Sequence, residues 1–180
     1  MANLDAPNGF NPIGKMGSGA PQKMKEYDAD AGYGTKIYQG DLVKLNAGNV
    51  ERGAAADTAF IGVFWGATFD DSDGKPKFIN NRPASQAAKV FVYDDPYQVF
   101  EIQGDGASTQ SNIGNTTDIN AGGGNDTTGT SLMEAASGSF GAGNVNIRVI
   151  GISQKEGRNT VGTGGANALY NVVINEHLYK

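Results

Sequence analysis

Apolar and polar residues along this chain fall into short alternating runs that do not settle into a helical period. Val145, Ile147 and Val149 alternate with Asn146 and Arg148, which predicts a strand over 145–152 with one face in a core. Ile37 to Leu45 is rich in β-formers and is broken at Gly40-Asp41, as expected of a bulge or a turn into a second short strand. Thr58 to Phe69 contains Phe60-Ile61-Gly62-Val63-Phe64-Trp65, too short and too rich in β-branched and aromatic residues for a helix, so it predicts a central strand. Asp73-Gly74 supplies the positive φ of a tight turn into Lys77-Phe78-Ile79, so residues 60–79 are expected to form one hairpin. Val90–Tyr93 and Gln98–Gln103 flank an Asp94-Asp95-Pro96-Tyr97 turn and predict two more strands. Residues 168–178, after a glycine-rich loop at 157–165, pair with 145–152 at the end of the chain.

Residues 104–144 are dominated by Gly, Asn, Thr, Ser and Asp, with Ile113, Ile119, Leu132, Met133 and Phe140 as isolated apolar residues. Forty residues of bare loop are unusual in a compact domain, so a helical turn near Thr109–Ile113 and a strand at Ser131–Ala136 are expected. No helix longer than two turns and no fixed-period repeat is apparent. The expected fold is mainly β: a single β-barrel or β-sandwich domain over residues 35–180, with glycine-rich loops and an extended N-terminal arm over residues 1–34.

The arm is inferred from Pro7, Pro12 and Pro21 and from glycines at 9, 14, 17, 19, 32 and 34, which disfavour regular elements. Its Leu4, Phe10, Ile13, Met16 and Met24, with Lys23 beside them, are too many large side chains for a purely solvated tail. They are read as anchors for a partner surface, the alternative being that they fold back on the chain's own core. Each is worth about 1.5–3 kcal/mol when fully buried, against roughly 1–2 kcal/mol per residue of backbone ordering. Because these terms nearly cancel, the arm is expected to be mobile when free and ordered on its partner, and removal of residues 1–26 to leave the body folded.

Charge and composition narrow the chemistry. Fourteen Lys and Arg against nineteen Asp and Glu give −5, with residues 1–26 at +1 and 27–180 at −6, so no positive field exists to attract nucleic acid or an anionic membrane. There is no cysteine and one histidine, His177, which removes disulfides, thiolate metal sites and a histidine-centred catalytic triad. The 27 glycines are about twice the usual share. No apolar run reaches membrane-spanning length and the opening residues lack an export signal, so the chain is expected to be soluble.

Candidate sites read as structural elements. Gly122–Gly124 and Gly162–Gly165 lack the Lys-Ser/Thr and following helix of a phosphate loop. Asp70, Asp71 and Asp73 lack the spacing and twelfth-position Glu of a calcium loop. Asp94, Asp95 and Glu101 are not read as a glycosidase pair, because the adjacent Asp94 and Asp95 before Pro96 read as turn chemistry. Asn115 and Asn125 match glycosylation acceptors by chance, and Trp65 with Phe60, Phe64 and Phe69 reads as core. No metal, cofactor or catalytic residue is expected, and the chain is read as a non-enzyme.

The opening Met1-Ala2-Asn3-Leu4-Asp5-Ala6-Pro7-Asn8-Gly9-Phe10-Asn11-Pro12-Ile13, then Tyr38-Gln39-Gly40-Asp41-Leu42-Val43, Gly62-Val63-Phe64, Asp73-Gly74-Lys75-Pro76, Asp94-Asp95-Pro96 and Val173–Tyr179 resemble a family of small virion proteins of tailed bacteriophages. The resemblance spans nearly the whole chain except 104–144, and its motifs are turns and strands rather than chemical signatures. It implies a capsid decoration, or cement, protein that binds the exterior of the assembled head, made in the host cytoplasm and stabilising contacts between capsomers. The implied partner is the major capsid protein, with homo-oligomerisation, as a trimer rather than a dimer, following from the symmetry of shell sites. The alternative is a minor tail or receptor-binding component, which would call for an aromatic-lined cleft in 104–144.

Overall fold

The computed structural model describes residues 3–17, 22–141, 145–153 and 165–180. Its strands are β1 (Asn11–Lys15), β2 (Lys25–Ala29), β3 (Ile37–Tyr38), β4 (Leu42–Asn46), β5 (Asn49–Arg52), β6 (Gly62–Asp70), β7 (Pro76–Ile79), β8 (Asn81–Arg82), β9 (Ala88–Tyr93) and β10 (Gln98–Gln103). Six two-residue strands follow, β11 (Ala107–Ser108), β12 (Thr116–Thr117), β13 (Ile119–Asn120), β14 (Gly124–Asn125), β15 (Thr130–Ser131) and β16 (Glu134–Ala135). β17 (Ile147–Ile152), β18 (Gly165–Ala166) and β19 (Leu169–Ile174) end the series.

Strands β4, β5, β2, β9 and β6 pair in that order, and β6 returns to β4 through Leu42↔Val63 and Val43↔Gly62, closing a five-stranded barrel. A barrel this narrow needs small side chains inside, and Ala29, Val43, Val50, Ala67, Ala88, Val90 and Val92 supply them, with Ile37, Ile61 and Phe64 as the larger members. Gly62, at φ +149° and tight against the Tyr93 carbonyl, lets Val63 face outward while Ile61 and Phe64 face the barrel interior. The expected hairpin is present as β6–β7, and Gly74 takes φ +72° in its turn.

The second sheet, ordered β1-β10-β19-β17-β12, packs on the barrel wall. Its Phe100, Ile102, Ile147, Val149, Val172 and Ile174 meet Leu42, Phe60, Val63 and Tyr93 from the barrel in one core. Although β9 and β10 are consecutive, they belong to different sheets, so the Asp94–Tyr97 turn passes the chain from barrel to sheet. β17 and β19 form the expected terminal pair. In 104–144 the described elements are the short strands and two single 3₁₀ turns, Gln110–Asn112 and Ser137–Ser139. The expected strand at 131–136 is thus split between β15 and β16.

Residues 1–34 are extended where described, but they are laid into the body. β1 pairs with β10, β2 is a stave of the barrel, and Phe10 is fully buried, edge-on to Phe100 with ring centroids 6.0 Å apart. Phe10 is therefore core rather than an anchor for another molecule. Pro12 and the glycines are tolerated because β1 lies at the sheet edge and carries a bulge between Pro12 and Gly14.

The glycine-rich insert is held to the barrel through Asp41, whose side chain is fully enclosed. Its Oδ2 accepts from the Tyr38 N–H (2.8 Å) and Arg52 Nε (2.8 Å), and its Oδ1 accepts from the Ser131 hydroxyl (2.7 Å). Arg52 Nη2 also donates to the Ala121 and Gly123 carbonyls. Burial pushes the Asp41 carboxyl up, while Arg52, the Tyr38 N–H and Ser131 pull the other way. Gly9, at φ +59°, crosses the same point; a Cβ there would lie 2.6 Å from both the Gly40 carbonyl oxygen and the Ser131 Cβ.

Asp41→Ala should lower stability by about 3–5 kcal/mol, because it strands a nearly buried guanidinium, and Phe10→Ala should cost about as much through its cavity. Urea denaturation measures both. Removal of residues 1–26, which deletes β1 and part of β2, is now expected to abolish cooperative unfolding of the remainder.

Candidate interaction surface

Ten large apolar side chains are exposed among the described residues, and Met16, Met24, Tyr97, Leu178 and Tyr179, each 45–53% accessible, lie on segments that meet around the β9–β10 turn. The Met16 N–H donates to the Tyr97 carbonyl (2.9 Å), placing the end of β1 beside that turn. Met24 leads into β2, where Lys25 is opposite Val92. Lys25 Nζ lies 5.1 Å from the Tyr27 ring centroid, 5.8 Å from that of Tyr179 and 3.9 Å from Asp94 Oδ2. The tail is fastened by Phe60 N–H to Glu176 O (2.9 Å) and Leu178 N–H to Phe60 O (2.7 Å).

The polar groups of this end hold one another in place. The Tyr27 hydroxyl donates to Asp94 Oδ2 (2.8 Å) and lies 3.4 Å from the Tyr179 hydroxyl. Burial, then Tyr179, then Asp94 push the Tyr27 phenol well above its ordinary value. Asp95 Oδ1 accepts the Tyr97 N–H (2.9 Å) and its carboxylate pairs with Lys15. Burial resists ionisation of Asp95, but Lys15 and the Tyr97 N–H outweigh it and hold the carboxyl below its usual range. The exposed apolar side chains of this end are thus carried on a fixed polar frame.

Of the anchors expected from the sequence, Met16 and Met24 lie at this end, with Lys23 exposed beside Met24. Ile13 is the extra residue of the β1 bulge and is exposed, and Leu4, the most exposed of all at 63%, lies where its carbonyl accepts from Gln103 Nε2 (3.3 Å). Tyr97, Leu178 and Tyr179 were not singled out by sequence reasoning. The signal available was a tyrosine after Asp-Asp-Pro and two apolar residues after Glu176-His177, but nothing local shows that these positions converge.

The other candidates have local work. Asp71 Oδ1 accepts from the Asp73 and Lys75 N–H groups (2.9 and 3.0 Å), closing the β6–β7 turn. Among the described residues no three Asp, Glu or His side chains group to hold a metal ion, and no helix is long and apolar enough to cross a membrane. Glu101 accepts from Ser153 Oγ (2.6 Å), remote from the roles of Asp94 and Asp95. A cleft of about 520 Å³ beside the start of β1 is lined by residues including Asn8, Asn11, Ile13, Gln103 and Leu169 and by no aromatic ring. Phe140 in the insert is partly buried against Tyr170, centroids 5.6 Å apart. Gly124 lies so close to the Tyr38 ring that a Cβ would come within 2.2 Å, so it serves close packing. The glycine-rich loop at 157–164, with Gly162 and Gly164, lies outside the described residues.

Glu134 stands apart: burial, then Asp5 and Asp105, push its carboxyl up to about 6. No protein-family model matches the chain, and no curated protein or solved structure does.

The double substitution Met16→Ser/Tyr97→Ser should leave the unfolding free energy within about 0.5 kcal/mol of wild type in urea denaturation, as for other exposed positions. Glu134→Gln should raise the melting temperature at pH 7. The native state of wild type holds its proton up to about pH 6 and the unfolded chain only to about 4.5, so Glu134 weakens the fold as pH rises through that window. The gain from the amide should therefore vanish below about pH 4.5.

Proposed function

We propose that the protein decorates the exterior of a tailed-bacteriophage head, using the apolar end around the β9–β10 turn to contact the major capsid protein. The observation that carries this reading is that Met16, Met24, Tyr97, Leu178 and Tyr179, half of the ten exposed large apolar side chains among the described residues, lie on segments that meet at that turn. The sequence resemblance supplies the partner. A protein that binds only the expanded lattice stabilises that state by linkage, without chemistry of its own. The exposed Leu4 and Ile13 lie along the N-terminal segment and offer a second contact, and two weak contacts on one rigid body raise avidity. Copies arranged as trimers on local three-fold positions would complete a closed symmetric assembly.

The test adds purified protein to expanded heads that lack it and follows co-sedimentation. Wild type should sediment with the heads in copies that scale with capsomers and should raise their disruption temperature. The Met16→Ser/Tyr97→Ser protein, folded but less apolar at this end, should bind at least about tenfold more weakly, since two partly buried side chains contribute on the order of 1.4 kcal/mol or more. Equal binding by the variant would place the contact elsewhere, and binding by neither would remove the reading.

A further inference from the structure

We propose that His177 is a protonation-controlled catch for the C-terminal segment that forms one side of the apolar end. Its use as a regulator of head binding rests on the function proposed above; the catch itself does not.

His177 is 6% exposed, and its Nδ1 accepts the backbone N–H of Tyr179 at 3.1 Å. An accepting Nδ1 carries no proton, so the neutral ring is the Nε2–H tautomer. Nε2 is buried and makes no hydrogen bond of ordinary geometry, and the Ile61 backbone beside the ring favours its charged form. Protonation can only occur at Nδ1, and it converts the sole acceptor into a donor facing another donor, the Tyr179 N–H. It also leaves a cation among Phe60, Ile61 and the Tyr179 ring, whose centroid is 5.8 Å away.

The charged groups that face the ring are Asp94 and Asp95 from the β9–β10 turn, which favour the cation, and Lys180, which opposes it. Both aspartates are already engaged, Asp94 by Tyr27 and Lys25 and Asp95 by Lys15. Burial outweighs them and holds the imidazole below its ordinary value. The unfolded or detached segment therefore takes up the proton first. The docked state keeps its full advantage above about pH 6.5 and loses it as pH falls through the depressed native value. With the Tyr179 N–H released, the Tyr27–Tyr179 hydroxyl contact keeps Lys25 beside the Tyr179 ring and the Lys180 N–H to His177 O bond as its remaining supports, and Leu178 N–H to Phe60 O remains as the pivot.

Because the chain has a single histidine, its imidazole resonances report the catch without ambiguity. NMR titration of the free full-length protein should give a midpoint below 6.5. Over the same range the Tyr179 amide should lose protection by about tenfold while the β6 and β9 amides stay protected. In His177→Asn the carboxamide oxygen can accept the Tyr179 N–H but does not titrate, so the Tyr179 step should disappear. A midpoint at or above 6.5, a Tyr179 amide indifferent to the titration, or an unchanged step in His177→Asn would each overturn the catch, the last by assigning the step to Asp94 and Asp95. These readouts need no shell, so failure of the catch and failure to bind heads are separate results.

Discussion

The glycine-rich insert is fixed to the β4–β5 side of the barrel at the carboxylate of Asp41. This carboxylate ties the β3–β4 corner to Arg52 on β5 and to Ser131 in the insert, and Gly9 and Gly40 pass within contact of the same place. A buried carboxylate is costly unless its lone pairs are filled. Here they are filled by the local Tyr38 N–H, by Arg52 on the neighbouring strand and by Ser131 from 90 residues away, so the group specifies where the insert must meet the barrel. The backbone pairs Gln39 N–H to Gly129 O and Ser131 N–H to Gln39 O extend the join on one side. On the other side, Leu42 and Met133 carry it into the shared core.

That join explains how a segment so rich in glycine can be ordered. Gly124 and Gly129 are positions where the Tyr38 ring and the Asn80 side chain come too close for a Cβ. The insert makes few large apolar contacts, so close backbone approach and hydrogen bonds to barrel residues replace a core of its own. Arg82 plays the corresponding part for the loop after β2. It is fully buried and donates to the carbonyls of Tyr33, Thr35, Gln86 and Asp30.

The apolar end follows from the change of sheet between β9 and β10. A chain that leaves a closed barrel for a second sheet must do so through a turn that neither sheet covers. The end of β1, the start of β2 and the tail are brought to that turn because each pairs with β10, β9 or the barrel rim. Side chains on such converging ends have no interior to enter. Their exposure is a consequence of topology, and the Lys25, Tyr27, Asp94 and Tyr179 contacts keep the resulting surface in one shape.

Local patterning determined the β character, the β6–β7 hairpin with its Asp73-Gly74 turn, and the β17–β19 pair, because alternation and turn chemistry act within a few residues. It also brought Met16 and Met24 to notice as large side chains in an unusual setting. It did not reveal that Phe10 is core, that Lys25–Ala29 is a barrel stave, or that Tyr97, Leu178 and Tyr179 share a surface. These depend on partners from about 20 to 150 residues away in sequence, and a five-residue strand with one buried residue has no periodicity of its own to recognise. Tertiary structure alone decided the closure of the barrel, which rests on β4 meeting β6 and on the parallel pairing of β2 with β5 at Asp28↔Asn49. Only once those contacts form does an extended, proline-containing N-terminus have edges and a pocket to occupy, and so become part of the body it precedes.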